Sequence, residues 1–138
     1  MQVVQPIDAD LFAAAKAVRE RAYAPYSGFP VGAALLADDG HIYTGVNVEN
    51  AAYPVGNCAE ASAIAAMLVG GGKRIRRIYI TGPGKTPVTP CGACRQRIRE
   101  FGAPDTIVIS HGLDGDPFYS TLEGLLPHSF GPQHLEKR

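Results

Sequence analysis

The sequence has no excess of charge of either sign, because its 13 lysines and arginines are balanced by 13 aspartates and glutamates. Proteins that attract polynucleotides or anionic membranes over long range usually carry a basic excess. The balanced composition therefore argues against both as partners. A chain of 138 residues, of which 46% are hydrophobic, can build one packed core, and we expect a single domain over residues 1–138.

The sequence also lacks a long apolar run and an even set of cysteines. Its longest weakly polar stretch, 61–72, is much shorter than the roughly 20 apolar residues that cross a bilayer. The first residues carry neither a basic nor an apolar segment, so we expect no secretory signal. Three cysteines argue against a closed disulfide framework and suit a reducing compartment. We therefore expect a cytoplasmic, soluble protein.

Apolar periodicity predicts helices and strands that alternate along the chain. The predicted helices are 8 to about 23 with Asp8 as N-cap, 58–69, 91–101 and a short one at 121–126. The predicted strands are 31–37 and 41–48, joined by a tight turn at 38–40, then 77–81 and 106–110. Helical connections of this length imply right-handed crossovers and parallel strands. We expect an α/β protein with one mixed sheet covered on both faces.

Two short fragments point to metal chemistry: Cys58-Ala59-Glu60, and Pro90-Cys91-Gly92-Ala93-Cys94 further along the chain. Cys91 and Cys94 are three positions apart at a predicted helix start, so their sulfur atoms can share one metal with Cys58. None of the four histidines stands at a spacing typical of a zinc finger or ribbon. Three protein ligands leave a position open for water, as catalytic zinc sites do.

Glu60 is the candidate proton carrier of this site. Cys58 and Glu60 are two positions apart, so they converge only where Cys58 opens a helix, which Gly56 and Asn57 permit. The first-turn amides and the helix dipole then favour thiolate at Cys58 and Cys91. Zinc activates a bound water, whose proton Glu60 can accept and return to a substrate. Such a Cys-x-Glu fragment followed by Pro-Cys-x-x-Cys is the signature of zinc-dependent nucleobase deaminases.

A Cys-x-x-Cys pair alone would also suit redox chemistry. Redox chemistry requires neither a third thiol nor a carboxylate, so the upstream Cys58 and Glu60 favour zinc. A non-catalytic zinc module is another alternative, and it predicts a fourth protein ligand on the metal.

With these fragments the sequence resembles the small cytidine deaminase family, whose members are usually homotetramers. The resemblance covers almost the whole chain and includes PYSGFPVGAA at 25–34, NVENAAY at 47–53, LLP at 125–127 and SFGP at 129–132. It implies a three-layer α/β/α cytidine deaminase-like fold with a mixed five-stranded sheet. It also implies bound zinc, a small nucleoside substrate and active sites shared between subunits.

The candidate substrate-binding residues are Phe29, Asn47, Glu49, Ala59 and Phe130. Asn47 and Glu49 lie two apart at a strand end, so they share a face and offer an amide and a carboxylate to paired sugar hydroxyls. The resemblance implies the ribose 3′-hydroxyl as their target and a substrate contact for Ala59. It also implies that Phe29 stacks on the pyrimidine, and that Phe130 reaches a site in a neighbouring subunit.

Ala61 departs from the common pattern of the family that the sequence resembles. In that pattern an arginine follows the catalytic glutamate and binds the zinc-ligating thiolates. Three thiolates on a divalent ion leave a formal charge of −1, which weakens the metal as a Lewis acid. We expect the two helix N-termini to supply enough compensation for activity.

The expected activity is hydrolytic deamination of cytidine and 2′-deoxycytidine to the uridines, with release of ammonia, in pyrimidine salvage. A blasticidin S type deaminase shares the metal fragments, but Glu49 favours ordinary nucleosides. A polynucleotide editor is disfavoured by the neutral charge and by the lack of an extension that could grip a strand. The basic run at 73–77 is expected to be a solvated connection or a subunit contact.

Overall fold

The computed structural model describes residues 3–136, which form one mixed five-stranded sheet with helices on both faces. The helices are α1 (Ile7–Arg19), α2 (Ala59–Val69), α3 (Gly92–Phe101) and α4 (Leu122–Leu125). The strands are β1 (Gly32–Ala37), β2 (Ile42–Val46), β3 (Ile75–Gly82), β4 (Ile107–Gly112) and β5 (Phe118–Thr121). Two short 3₁₀ helices lie at Tyr53–Val55 and Pro132–Leu135.

The strands lie in the order β2-β1-β3-β4-β5. The pair β3–β4 is parallel, as predicted for strands joined through a helix, and the other neighbouring pairs are antiparallel. The α2 crossover leaves β2 and β3 parallel but separated by β1, which inserts between them. Gly40 has a φ of 82° in the tight turn of the β1–β2 hairpin, a conformation that glycine adopts without steric cost.

Two hydrophobic cores lie on opposite faces of the sheet and confirm the predicted three layers. The alternation of side chains along β1 separates them, because Ala33 and Leu35 face one core and Ala34 faces the other. The first core packs the sheet against α2, α3 and α4, and the second packs it against α1. No helix within residues 3–136 has both the length and the apolar character needed to cross a bilayer.

Gly45 of β2 allows this strand to lie directly against the first turns of α2. A methyl group at Gly45 would stand 2.6 Å from the carbonyl oxygen of Ala59 and would also meet the amide of Ala63. Only glycine fits such a close approach of two backbones. The contact fixes the part of α2 that carries Glu60 against the sheet.

The prediction for α1 is wrong at both ends. Asp8 does not cap the helix, because it lies inside the first turn and Pro6 is the N-cap residue. The helix ends at Arg19 instead of near Tyr23, since Tyr23 forms a bridge with Val48. The Tyr23 amide donates to Asn47 at 3.0 Å, so the chain leaves the helix early to support the 47–49 segment.

The carboxylate of Asp8 instead forms a buried ion pair with Arg77. Nε and Nη2 of Arg77 donate to the two carboxylate oxygens, each at 2.8 Å, and both side chains are more than 90% buried. The expectation of a solvated basic run is therefore wrong for Arg77, which lies within β3. Ion pairing explains how a charged residue can occupy a buried strand position.

Other predicted boundaries differ from the observed ones by one or two residues. Strand β3 begins at Ile75 and β4 ends at Gly112, so both are longer than predicted. The short helix α4 is confirmed, with the Thr121 hydroxyl accepting from the Gly124 amide at its start. The residue pattern did not predict β5, a four-residue edge strand on β4, although the family resemblance implied a fifth strand.

Candidate active site

The sulfur atoms of Cys58, Cys91 and Cys94 all lie within 4.8 Å of one another. Cys58 is the N-cap residue of α2 and Cys91 is the N-cap residue of α3, both with extended backbone. Cys94 follows in the first turn of α3 and is fully buried. Two helix N-termini therefore point their free amides and positive dipole ends at one group of thiols, as the spacing predicted.

This group of sulfur atoms fits a zinc ion. Three cysteine sulfurs in a cluster are a ligand set that zinc favours. Within residues 3–136 no further histidine, cysteine, aspartate or glutamate joins the cluster. The described residues thus supply three ligands and leave one coordination position for water or substrate, which disfavours the closed four-ligand module.

The three thiols differ in their environments. Burial raises the pKa of the Cys94 thiol. Burial also works to raise the pKa of Cys91, but hydrogen bonds from the Cys94 amide and from the neighbouring thiols bring it below its ordinary value. Cys91 is exposed at the mouth of the cluster, whereas Cys94 forms its base.

Glu60 is buried beside the sulfur cluster, in the first turn of α2. Burial raises the pKa of its carboxyl group, while its own backbone amide and the positive charge of Arg97 lower it. A raised pKa suits a carboxyl group that accepts and returns a proton near neutral pH. The helix start at Cys58 is what brings residues two positions apart to the same site.

A cleft of about 310 Å³ leads to the cluster and brings most of the predicted site residues together. Its lining includes Asn47, Glu49, Cys58, Ala59, Glu60 and Cys91. The 47–49 segment reaches the cleft through a bridge in which the Val48 amide donates to Asn57 and the Asn57 amide donates back, at 2.9 and 2.8 Å. This bridge connects the end of β2 to the residue immediately before Cys58.

Asn47 and Glu49 also hold the loop that precedes β1. Asn47 accepts from the amide of Val31 and donates to the carbonyl of Phe29, both at 2.9 Å. The Glu49 carboxylate accepts from the amides of Tyr26 and Ser27 at 2.9 and 3.0 Å. Both residues also line the cleft, and their oxygens keep acceptor capacity because each can accept more than one hydrogen bond.

The two aromatic candidates occupy different places. Phe29 is 42% exposed, and one ring carbon would lie 3.4 Å from a methyl group at Gly82, which places the ring over the end of β3. Phe130 is 56% exposed and stacks on His134 with ring centroids 4.9 Å apart. Neither Phe29 nor Phe130 is among the residues that line the cleft of the chain.

Arg97 lies on α3 and is not among the site residues predicted from the sequence. Its Nη1 donates to the sulfur of Cys94 at 3.5 Å. The signal available in the sequence was the spacing of three residues between Cys94 and Arg97, which places both on one face of α3.

Comparison with known proteins gives a consistent result. Residues 6–110 match the family model of the cytidine and deoxycytidylate deaminase zinc-binding region. The chain is 46% identical to the cytidine deaminase of Sporosarcina psychrophila, over 91% of this chain and 92% of that one. It is 44% identical to that of Halalkalibacterium halodurans, over 85% and 89% of the two chains.

Solved structures agree with this match. The crystal structure of cytidine deaminase from Burkholderia pseudomallei superposes with a TM-score of 0.84 at 44% identity, covering 88% of this chain and 98% of that one. The Mycobacterium tuberculosis cytidine deaminase structure gives 0.80 at 35% identity, covering 92% and 99%. With its cysteine cluster, its buried glutamate and these similarities over most of its length, the chain belongs to the cytidine deaminase family.

Proposed function

We propose that this protein is a zinc-dependent hydrolase that deaminates cytidine and 2′-deoxycytidine to uridine and 2′-deoxyuridine, with release of ammonia. The observation that carries the proposal is one cleft in which Glu60, Cys58 and Cys91 meet Asn47 and Glu49. The first three residues supply hydrolytic chemistry, and the last two supply polar groups for a sugar. A nucleoside brings a reactive base and a sugar to such a cleft together.

Cys58, Cys91 and Cys94 would hold the zinc ion, which when bound supplies a Lewis acid that activates water for attack. Glu60 takes the proton from the attacking water as the new C–O bond forms at C4 of the base. Its carboxyl group then protonates N3, takes a second proton from the new hydroxyl group at C4, and passes that proton to the amino nitrogen. The C4–N bond breaks and ammonia leaves, so Glu60 returns to its starting form.

Burial of Glu60 supports this role, since burial raises the pKa of its carboxyl group toward neutral pH. The buried position also keeps bulk water away from the proton that moves. Phe29 would stack on the pyrimidine ring, and Asn47 and Glu49 would bind the ribose 3′-hydroxyl. Ala59 would lie against the substrate at the cleft wall, where a larger side chain would reduce the space available.

A panel of nucleosides tests the activity directly. We expect the zinc-loaded protein to release ammonia from cytidine and deoxycytidine and not from single-stranded DNA. Protein stripped of metal by a chelator should be inactive and should recover when zinc is returned. Ammonia release from blasticidin S but from neither nucleoside would favour the antibiotic deaminase, and release from none would refute the proposal.

We also propose a cytoplasmic homotetramer with shared active sites that serves pyrimidine salvage. Supporting features are the exposed apolar side chains on α2 and on the C-terminal segment, where Val69, Phe130 and Leu135 are 91%, 56% and 75% exposed. A second subunit would cover such surface. Phe130 does not line the cleft of its own chain, which suits a residue that serves a neighbour's site.

Subunit complementation tests the sharing of sites. Glu60→Gln and Phe130→Ala subunits would each be weak alone, because one lacks the proton carrier and the other lacks the aromatic group. Mixed and reassembled oligomers should recover activity at the sites that combine intact residues from both variants. Light scattering should report a tetramer, and a monomer that is fully active would contradict this proposal.

A further inference from the structure

Within residues 3–136, the only hydrogen bond that Arg97 makes is to a candidate zinc ligand. Its Nη1 donates to Cys94 at 3.5 Å, and no carboxylate of those residues lies within ion-pair distance. The arginines at 95 and 99 on the same helix bind elsewhere, to backbone carbonyls and to polar side chains near the C-terminus. Arg97 therefore differs from its neighbours in being directed at sulfur.

Arg97 shares a groove of about 500 Å³ between α2 and α3 with Ala61. The groove is also lined by Ile64 and Leu68 from α2 and by Glu100 and Phe101 from α3. Ala61 follows Glu60 and contributes only a methyl group, so the α2 side of this groove offers no cation to the sulfurs. The cation enters from α3 instead.

The net charge of the cysteine cluster changes when zinc binds. Zinc binding releases the protons of three thiols, so the site passes from neutral to a formal charge of −1. The amides at the two helix N-termini, which we expected to balance this charge by themselves, carry only partial positive charge, and the contact of Arg97 with Cys94 adds a full one. A guanidinium at Cys94, the most deeply buried of the three cysteines, stabilises the loaded state and reduces electron donation from that sulfur.

We propose that Arg97 is the charge-balancing residue of the zinc site and that it supplies from α3 the cation that Ala61 cannot supply from α2. It is a positioning residue, since it acts through Cys94 and not on the substrate. The inference rests on the ligand set given under the proposed function. It goes beyond that function by assigning a role in metal binding to a residue outside the deaminase signature.

Zinc affinity, measured at neutral pH by competition with a chromophoric chelator, is the primary test. Arg97→Gln should bind zinc about 10- to 100-fold more weakly, the usual effect of losing a group that hydrogen-bonds a metal ligand. Arg97→Lys should keep most of the affinity because it keeps the charge. Arg76→Gln, which removes an exposed arginine of β3 remote from the cysteines, should stay within about twofold of the unmodified protein.

The double variant Ala61→Arg with Arg97→Gln provides the rescue. An arginine at position 61 would lie in the same groove as residue 97, so it should restore most of the zinc affinity lost in Arg97→Gln. Cobalt gives a second readout independent of activity, since a sulfur without its hydrogen bond donates more strongly. The sulfur-to-cobalt absorption band of Arg97→Gln should therefore move to longer wavelength.

The outcomes separate this inference from the proposed function. If Arg97→Gln matches Arg76→Gln in zinc affinity and its cobalt band does not move, the role of Arg97 is wrong while the deaminase assignment stands. If the unmodified protein binds no zinc, the ligand set itself is wrong and this inference falls with it. Thermal unfolding of the metal-free variants checks that each substitution leaves the fold intact.

Discussion

Glu49 binds Ser27 twice, through the backbone amide at 3.0 Å and through the side-chain hydroxyl. The hydroxyl contact, followed by the amide contacts, lowers the pKa of the Glu49 carboxyl group. The carboxylate thus remains ionised while it holds the loop that carries Phe29, and it also lines the cleft. Glu49 has two possible contributions to substrate binding, one direct and one through the loop.

A comparison of 2′-deoxycytidine with 2′,3′-dideoxycytidine, which differ only in the 3′-hydroxyl, separates these contributions. If Glu49 binds the 3′-hydroxyl, loss of that hydroxyl should lower kcat/KM of the unmodified enzyme about 10- to 100-fold, as expected for a hydrogen bond to a charged group. In Glu49→Ala the two substrates should become nearly equal. Ser27→Ala is the matched control, because it weakens the loop contact but keeps the carboxylate, and it should preserve the discrimination.

An unchanged discrimination in Glu49→Ala would contradict direct binding. It would assign Glu49 to the support of the loop alone. Steady-state kinetics with both substrates on the three proteins provides the full comparison.

The metal site was largely predictable because its determinants are local in sequence. Cys58 and Cys91 each open a helix, and the position of a helix start depends on a few neighbouring residues such as Gly56 and Asn57. Once both starts are fixed, the spacing of Cys94 and Glu60 places them near the same point. Short fragments therefore contained most of the information about where the candidate ligands and the proposed proton carrier lie.

The remaining features depend on contacts between distant parts of the chain. The end of α1 is set by the bridge between Tyr23 and Val48, which no local pattern near Tyr23 reveals. The burial of Arg77 depends on Asp8, 69 positions away in the sequence. The contact of Arg97 with Cys94 forms only when the fold has assembled the sulfur cluster, and its proposed role was therefore not predicted from the sequence.

Phe29→Ala tests the proposed stacking on the base. Loss of an aromatic platform costs about 1 to 3 kcal/mol of binding free energy, or roughly 5- to 150-fold, so KM for cytidine should rise by that factor. Phe29→Tyr is the control, because it keeps the ring and should stay near the unmodified value. An unchanged KM in Phe29→Ala would place the pyrimidine elsewhere in the cleft.

Asp8→Asn tests the buried ion pair with Arg77. The substitution leaves a buried guanidinium without its charge partner, so the free energy of unfolding should fall by about 3 to 5 kcal/mol. Asp10→Asn, on the exposed side of the same helix turn, should change it by less than about 0.5 kcal/mol. Urea unfolding of the two variants gives the comparison, and equal stabilities would show that the pair contributes nothing measurable.

Glu60→Gln tests the proton carrier. The amide keeps the size of the side chain but cannot accept and return a proton, so kcat should fall by at least about 100-fold. Zinc content should remain at one ion per chain, since Glu60 is not a proposed ligand. Elemental analysis alongside ammonia release makes the measurement, and retained turnover with normal zinc content would refute the proton-carrying role.

Ala61→Arg, made alone, asks whether the charge of the zinc site is already balanced. With Arg97 on Cys94 and two helix N-termini at the cluster, a second guanidinium in the same groove has little further charge to offset. We therefore expect kcat to stay within about twofold of the unmodified enzyme and its pH profile to keep its position. A large rate gain, or a profile displaced toward lower pH, would mean that the natural site carries uncompensated negative charge. In the Arg97→Gln background, by contrast, we expect Ala61→Arg to raise zinc affinity strongly. An effect that depends on the background in this way distinguishes charge balance from simple packing of the groove.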